Sequence, residues 1–227
     1  MLPELCTLTY LRKAFEALDD LAESLEGVSV TRFAELARAQ SAMVVFGMAR
    51  RTDTGFRISQ VILNETGEVA ACYDKLHLCQ YGASCEKEVF ECGEKMTVVN
   101  LKGWKLAPLV CYDIRIPEMS RALTLEHHAD LLLHCGAYFR DESFATWHSF
   151  ATTRAMENQV YLLSLNRAGK NYGSSLFCFP WMDETHPAVA FADHAEEFRF
   201  FELDTDLPDE TRSMYTFLKD RHAKYSL

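Results

Sequence analysis

The chain reads as an α/β (α+β) protein of two packed, mainly antiparallel sheets with helices on their outer faces, and three observations carry that expectation. Short β-rich runs come in pairs joined by turn residues, Glu65-Thr66-Gly67-Glu68 and Lys102-Gly103. Amphipathic helical stretches lie between them without a repeating period. The composition supports a full core: 48% of the 227 residues are hydrophobic and 12% aromatic. No Pro/Gly/Ser-rich linker or low-complexity tract divides the chain, so residues 1–227 read as one domain.

Taken in order, Leu11, Phe15, Leu18, Leu21 and Leu25 step by three and four, which predicts a helix over 9–26, with a shorter one over 31–40. Strands are predicted at 43–49, 60–64 and 70–75, the last two joined by the Gly67 turn. Residues 96–101 and 104–112 read as a hairpin about Lys102-Gly103, a pattern of antiparallel pairing rather than βαβ crossovers. Pro117 opens a helix over 117–128, since proline suits a first helical turn. Strands over 129–135 and 160–166 flank an amphipathic helix over 143–159. Strands at 175–179, 188–192 and 198–203 and a terminal helix over 209–221 complete the reading.

A formal net charge of −10 argues against a sequence-independent grip on nucleic-acid phosphates, which needs a basic surface. No apolar run is long enough to span a bilayer, and the first residues lack a basic-then-apolar secretory pattern, so a cytoplasmic protein is expected. Cys72, Cys79, Cys85 and Cys92 are 7, 6 and 7 residues apart, without the close pairs of zinc modules, so no metal site is expected. Most of the eight cysteines read as small buried apolar groups in a reducing compartment.

One cysteine has a different context. Leu109-Val110-Cys111-Tyr112-Asp113-Ile114-Arg115-Ile116-Pro117-Glu118 is an apolar β run that ends in a thiol where the chain turns toward a helix. Lys75 lies upstream in Tyr73-Asp74-Lys75-Leu76-His77-Leu78, and Glu4 in Leu2-Pro3-Glu4-Leu5. Glu, Lys and Cys in that order suggest an amide hydrolase. Each also has a plainer reading: a structural thiol, a solvated strand-end charge and a helix-start signal. Asp113 and Arg115 are expected to form a supporting ion pair, and His77 a structural hydrogen bond. Arg154, Glu157 and Asn158 read as a buried polar network or helix–sheet anchor.

The Tyr73–Leu78 and Leu109–Glu118 blocks, with Arg154-Ala155-Met156-Glu157-Asn158-Gln159-Val160-Tyr161, resemble the signature segments of the nitrilase superfamily of carbon–nitrogen hydrolases, most closely its omega-amidase-like amidase branch. The spacings, 71 residues from Glu4 to Lys75 and 36 from Lys75 to Cys111, fit that resemblance jointly. It implies an α-β-β-α sandwich paired through its helical face into homodimers or larger homo-oligomers, a small-molecule amide as substrate, and no cofactor. It also implies that Glu86 positions the lysine and substrate, with Glu88 and Glu91 as nearby rivals. The sequence departs from the pattern in placing the base at position 4, apparently without the usual first strand; a base there is expected to fray unless tied down, and the sheet edge to lie open.

In the chemistry that the resemblance implies, Cys111 attacks an amide carbonyl to form a thioester. Glu4 passes the thiol proton to departing ammonia and then activates water, its pKa raised by burial or by Glu86. Lys75 stabilises the oxyanion together with the Tyr112 backbone N–H, so that Lys75→Ala is expected to abolish turnover without unfolding the protein. Arg140, in the loop that follows strand 129–135, is expected either to pair with a substrate carboxylate or to pair with Asp141 or Glu142 at the surface. Tyr138, Phe139 and Phe144 suggest a partly apolar pocket. The matching substrates are a monoamide of a dicarboxylic acid or an N-carbamoyl amino acid. Readings from other classes are a non-catalytic scaffold member, whose Cys111 a thiol probe would fail to label, and a redox or metal protein, which metal analysis and a free-thiol count would reveal.

Overall fold

The computed structural model describes residues 1–82, 84–222 and 224–226. Two sheets pack face to face, each covered by helices on its outer side. The first is the antiparallel meander β1 (Val44–Arg51), β2 (Phe56–Leu63) and β3 (Val69–Asp74). The second has the order β4 (Val99–Leu101), β5 (Trp104–Val110), β6 (Leu131–Cys135), β7 (Tyr161–Leu165), β8 (Leu176–Cys178) and β9 (Val189–Ala190). Inward side chains of both sheets, among them Val45, Ile62, Leu106, Leu131, Leu133 and Phe177, interleave as one buried layer. Outside the first sheet, α3 (Val28–Gln40) lays Val30, Ala34 and Ala37 against Phe46, Met48 and Val61. Outside the second, α4 (Pro117–Leu125) and α5 (Phe144–Asn158) bury Leu123, Trp147, Ala151 and Ala155 against Leu109, Leu132 and Leu162. No helix among the described residues is long and apolar enough to cross a membrane.

The expectation of hairpins without crossovers is corrected at the centre of the second sheet. The β5–β6 and β6–β7 pairs are parallel, joined through α4 and α5, although most pairings in the two sheets are antiparallel. Every residue of β6 is buried, as expected for a strand covered on both faces. The β4–β5 hairpin forms as predicted, with Lys102 (φ 48°) and Gly103 (φ 92°) both left-handed, as a two-residue turn matched to strand twist requires. Cys111 and Tyr112 leave β5 for a short 3₁₀ turn, Cys111–Arg115.

Other differences have tertiary causes. The stretch 9–26 yields only two short turns, α1 (Arg12–Phe15) and α2 (Leu18–Leu21), because Tyr10 and Phe15 are drawn to Glu86 and Phe90 while Leu11 and Leu21 stay exposed. Residues 198–203 form no strand: Phe198 and Phe200 point to solvent while Phe201 stacks on Phe177 at 4.1 Å. The terminal helix divides at Tyr215 into α6 (Leu207–Met214) and α7 (Phe217–Asp220), with Tyr215 stacked on Trp181 at 3.8 Å.

The segment that carries Glu4 is tied down, and the outer edge of β1 is partly covered by it. Leu2 N–H donates to Val45 O and Cys6 N–H to Gly47 O, at 2.8 and 2.9 Å. Arg167 Nη1 donates to the carbonyls of Glu4 and Leu5 at 3.2 and 2.8 Å. Gly47 permits this approach: a Cβ there would lie 2.7–2.8 Å from Pro3 O, Leu5 N and Glu4 Cα. The left-handed φ of 49° at buried Leu5 turns the chain just after Glu4.

Candidate active site

The site gathers where strands end. Cys111 follows β5 and Tyr138 follows β6, at the carboxyl ends of the parallel strands where an open sheet leaves a crevice, and Lys75 follows β3 of the facing antiparallel sheet. Glu4 enters from the segment beside β1, and Glu86 from a short 3₁₀ turn, Glu86–Glu88.

Lys75 is fully buried, and its Nζ donates to Glu4 Oε1 and Glu86 Oε1, each at 2.8 Å. Burial alone would lower its pKa, but the two carboxylates outweigh that and hold the ammonium well above its usual value. Glu86 is held in turn: Oε1 accepts the Tyr10 hydroxyl at 2.7 Å, and Oε2 accepts the Cys79 N–H at 2.8 Å. Its rivals lie at the surface, Glu88 on Arg12 and Glu91 on Thr54 and Arg57.

Burial raises Glu4 to about 7; Lys75 pulls it down, Glu86 pushes it up, and the Cys111 thiol adds a small hydrogen-bonding contribution. Its Oε2 is buried and has no hydrogen-bond partner among the described residues, which leaves that oxygen free beside the Cys111 thiol. Burial and the Glu4 charge hold the Cys111 thiol well above its usual pKa, so it rests protonated. Its φ of 46° is strained for a side-chain-bearing residue and swings the chain from strand into turn. Asp113 anchors that turn, accepting Val110 N–H, Tyr73 Oη–H, His77 N–H and a hydrogen bond with His77 Nδ1. The expected Asp113–Arg115 ion pair is therefore absent. Arg154 clamps the far side, donating to Ile114 O and Arg115 O while pairing with Glu157; Asn158 Nδ2 donates to Arg154 O.

A pocket of about 420 Å³, counting its open mouth, is lined by Tyr10, Cys79, Tyr81, Cys111, Tyr112, Arg115, Tyr138 and Phe139 among others. Arg140 does not line it. Its guanidinium donates from Nε to Tyr172 O and from Nη2 to Ser174 Oγ and Asp193 O, so neither Asp141 nor Glu142 is its partner. Phe144 likewise lies outside the pocket, beneath Arg140 and against Trp147. Facing the pocket instead is Arg115, which rests on the rings of Tyr81 and Phe150 and donates from Nη1 to Thr146. Its Nε and Nη2 are buried without partners among the described residues.

Sequence reasoning missed Tyr10, whose only signal was a tyrosine near the proposed base, and placed Arg115 in a pair it does not make. Lys75 sits between the carboxylates where a bound cation would otherwise lie, and the described residues contain no cluster of three His, Cys, Asp or Glu arranged to hold a metal.

An omega-amidase of Escherichia coli is 32% identical over 75% of this chain, and this chain spans 62% of its length. The Saccharomyces cerevisiae omega-amidase Nit3 has the same fold at a TM-score of 0.81 and 25% identity, covering 94% of this chain and 79% of its own. An amidase from Nesterenkonia sp., solved with butyramide, matches at a TM-score of 0.70 and 26% identity over 85% of this chain and 72% of its own. A second structure of that amidase shows the acetamide moiety of fluoroacetamide added covalently at its active-site cysteine. The carbon–nitrogen hydrolase profile matches residues 1–193, so the chain belongs to the carbon–nitrogen hydrolase family.

Proposed function

We propose that the protein hydrolyses a small carboxamide to carboxylate and ammonia through a thioester on Cys111. The observation that carries this reading is the buried ammonium of Lys75, 2.8 Å from both Glu4 and Glu86, with the Cys111 thiol beside a Glu4 oxygen that has no other partner.

Because the thiol rests protonated, attack and deprotonation occur together. Sγ bonds to the carbonyl carbon as its proton passes to Glu4 Oε2. The tetrahedral oxyanion is held by Lys75 Nζ and the Tyr112 N–H. Collapse breaks the C–N bond, and Glu4 returns the proton to nitrogen, which leaves as ammonia. Water then attacks the thioester, giving its proton to Glu4; the second collapse breaks the C–S bond, and the proton returns to sulfur. Glu86 and Tyr10 keep Lys75 and Glu4 in register throughout. The acetamide moiety of fluoroacetamide on the active-site cysteine of a mutant Nesterenkonia amidase is consistent with a nucleophilic role for Cys111 here.

Glu4 must be ionised to act as base. With its pKa raised to about 7, kcat/KM is expected to rise with pH along an acid limb centred near 7 rather than near the 4.5 of an ordinary glutamate. A pH–rate profile on any substrate found by ammonia release from a panel of carboxamides, carbamoyl amino acids and nitriles checks this. An acid limb near 4.5 contradicts it, and a panel without release contradicts the reading as a whole.

The substrate class follows from Arg115. Arg115 lines the pocket, and a guanidinium there suits a carboxylate, which favours a monoamide of a dicarboxylic acid. Arg115→Met is expected to raise KM for such a monoamide roughly 10- to 100-fold. KM for butyramide, which carries no charge, stays near the wild-type value. Equal losses on both substrates would remove Arg115 from this role.

A further inference from the structure

A chain of hydrogen bonds behind the nucleophile belongs to no step above. The parallel register of β6 and β7 sets Ser164 opposite His134, and Leu109 of β5 lies on the other side of His134. Trp147, on α5, reaches this row through Nε1, 2.9 Å from Ser164 Oγ. Ser164 Oγ is 2.6 Å from His134 Nδ1, and His134 Nε2 is 3.1 Å from the carbonyl oxygen of Cys111. The Tyr138 hydroxyl donates to that same oxygen at 2.8 Å, its ring stacked on Trp147 at 4.5 Å.

One arrangement of protons gives every member of the row a partner. An indole nitrogen only donates, so Ser164 Oγ accepts from Trp147 and turns its own proton to His134 Nδ1. That leaves the imidazole proton on Nε2, where the acceptor is the Cys111 carbonyl. In the opposite tautomer the bare Nε2 would face the carbonyl oxygen and compete with it for the Tyr138 hydroxyl, 3.3 Å away. Complete burial lowers His134 to about 4, so the ring is neutral and carries this single proton near neutrality.

What the row holds is one face of a peptide unit. The Cys111 carbonyl and the Tyr112 N–H belong to the same plane and point in opposite directions. Two side-chain donors on the oxygen therefore fix where the N–H aims. That N–H lies in the first turn of a short helix, where no intrahelical acceptor exists, and it has no other acceptor among the described residues. We propose that His134 and Tyr138 are positioning residues for the oxyanion hole: by holding the Cys111 carbonyl they aim the Tyr112 N–H at the tetrahedral oxygen. This rests on the covalent reading above, since without a tetrahedral intermediate there is no oxyanion to receive it.

The test compares two reactions of Cys111 in the full-length protein. Acylation by a carboxamide builds an oxyanion; disulfide formation with methyl methanethiosulfonate does not. In His134→Phe, kcat for the amide is expected to fall about 10- to 100-fold, short of the ~10²–10³ of a deleted donor, with KM little changed. Methylthiolation of Cys111, followed by peptide mass, is expected to keep its wild-type rate. Tyr138→Phe, which loses only a hydroxyl, is expected to shift the same two readouts in the same sense by a smaller factor, and stands in if the histidine variant misfolds. His134→Gln, which restores an N–H donor, is expected to recover part of the loss. Equal falls in acylation and methylthiolation would make His134 and Tyr138 merely structural and overturn the proposal, as would wild-type acylation in both Phe variants. A wild type that methylthiolates but releases no ammonia from any amide would overturn the covalent reading and this proposal with it. Full turnover with unaffected variants overturns this proposal alone.

Discussion

Replacing Glu4 with glutamine is expected to reduce turnover at least ~10²–10⁴-fold, the span attributed to a lost general acid–base, while leaving the fold no less stable at pH 8. Glu4 is asked to move a proton in both half-reactions, so both slow together. Glutamine keeps the shape and a carbonyl oxygen for Lys75 but has no basic oxygen for the Cys111 proton. The stability claim follows from the sign of the pKa shift. A carboxyl raised from 4.5 to about 7 on folding favours the protonated form, so its contribution to stability declines as pH rises from about 4.5 through 7 and remains lost above that. A neutral amide removes that loss, at the cost of one of the two carboxylates that pair with Lys75. Ammonia release and thermal melting at pH 8 together check the pair of outcomes. A sharply lowered melting temperature would mean that the Glu4–Lys75 pairing outweighs the cost of burying an ionised Glu4.

Lys75→Met carries the second large effect, and here the structure revises what the sequence suggests. Loss of an oxyanion donor alone predicts a fall of ~10²–10³ in rate. Lys75, however, is fully buried between Glu4 and Glu86, and methionine strands both acids without a counter-charge. Breaking a buried pair by removing one partner typically costs ~3–5 kcal/mol. The variant is therefore expected to be inactive and also markedly less stable, with part of the stability returning as pH falls from above 7 towards 4.5 and Glu4, raised by burial and now without the lysine that pulls it down, takes up a proton. Urea unfolding at pH 5 and pH 8 checks this; unchanged stability at both would show that the cluster bears little net charge.

The placement of this site was legible in the sequence where it rides on strand ends. Lys75 and Cys111 each close an apolar run, and such runs are visible without coordinates. Glu4 was visible as a residue, but what holds it was not: Gly47 and Arg167 act across 43 and 163 residues. Glu86 could be separated from Glu88 and Glu91 only by the turn that sends one carboxylate inward and two outward. Arg140 and Arg115 depart from their expected places for a related reason. Backbone carbonyls of a distant loop capture Arg140, whereas Asp113 is already saturated by Tyr73, His77 and Val110, which leaves Arg115 to the pocket.

The fold shows the same division. Turn chemistry at Gly67 and Lys102-Gly103 is local, and those hairpins appear where the residues place them. The parallel pairing of β5, β6 and β7 depends on α4 and α5 passing over one face, which no local pattern specifies. The stretch 9–26 has helical spacing, yet tertiary partners of Tyr10 and Phe15 override it.

A covalent acyl group on Cys111 underlies every proposed step, and acid-quenched mass spectrometry detects it. The protein is mixed with a turned-over carboxamide, quenched in acid during steady state and digested, alongside Cys111→Ala and Glu4→Gln. The acyl mass is expected on the Cys111 peptide of the wild type, labile to hydroxylamine, and on no peptide of Cys111→Ala. Steady ammonia release by Cys111→Ala, with no acyl mass on the wild-type Cys111 peptide, would contradict it.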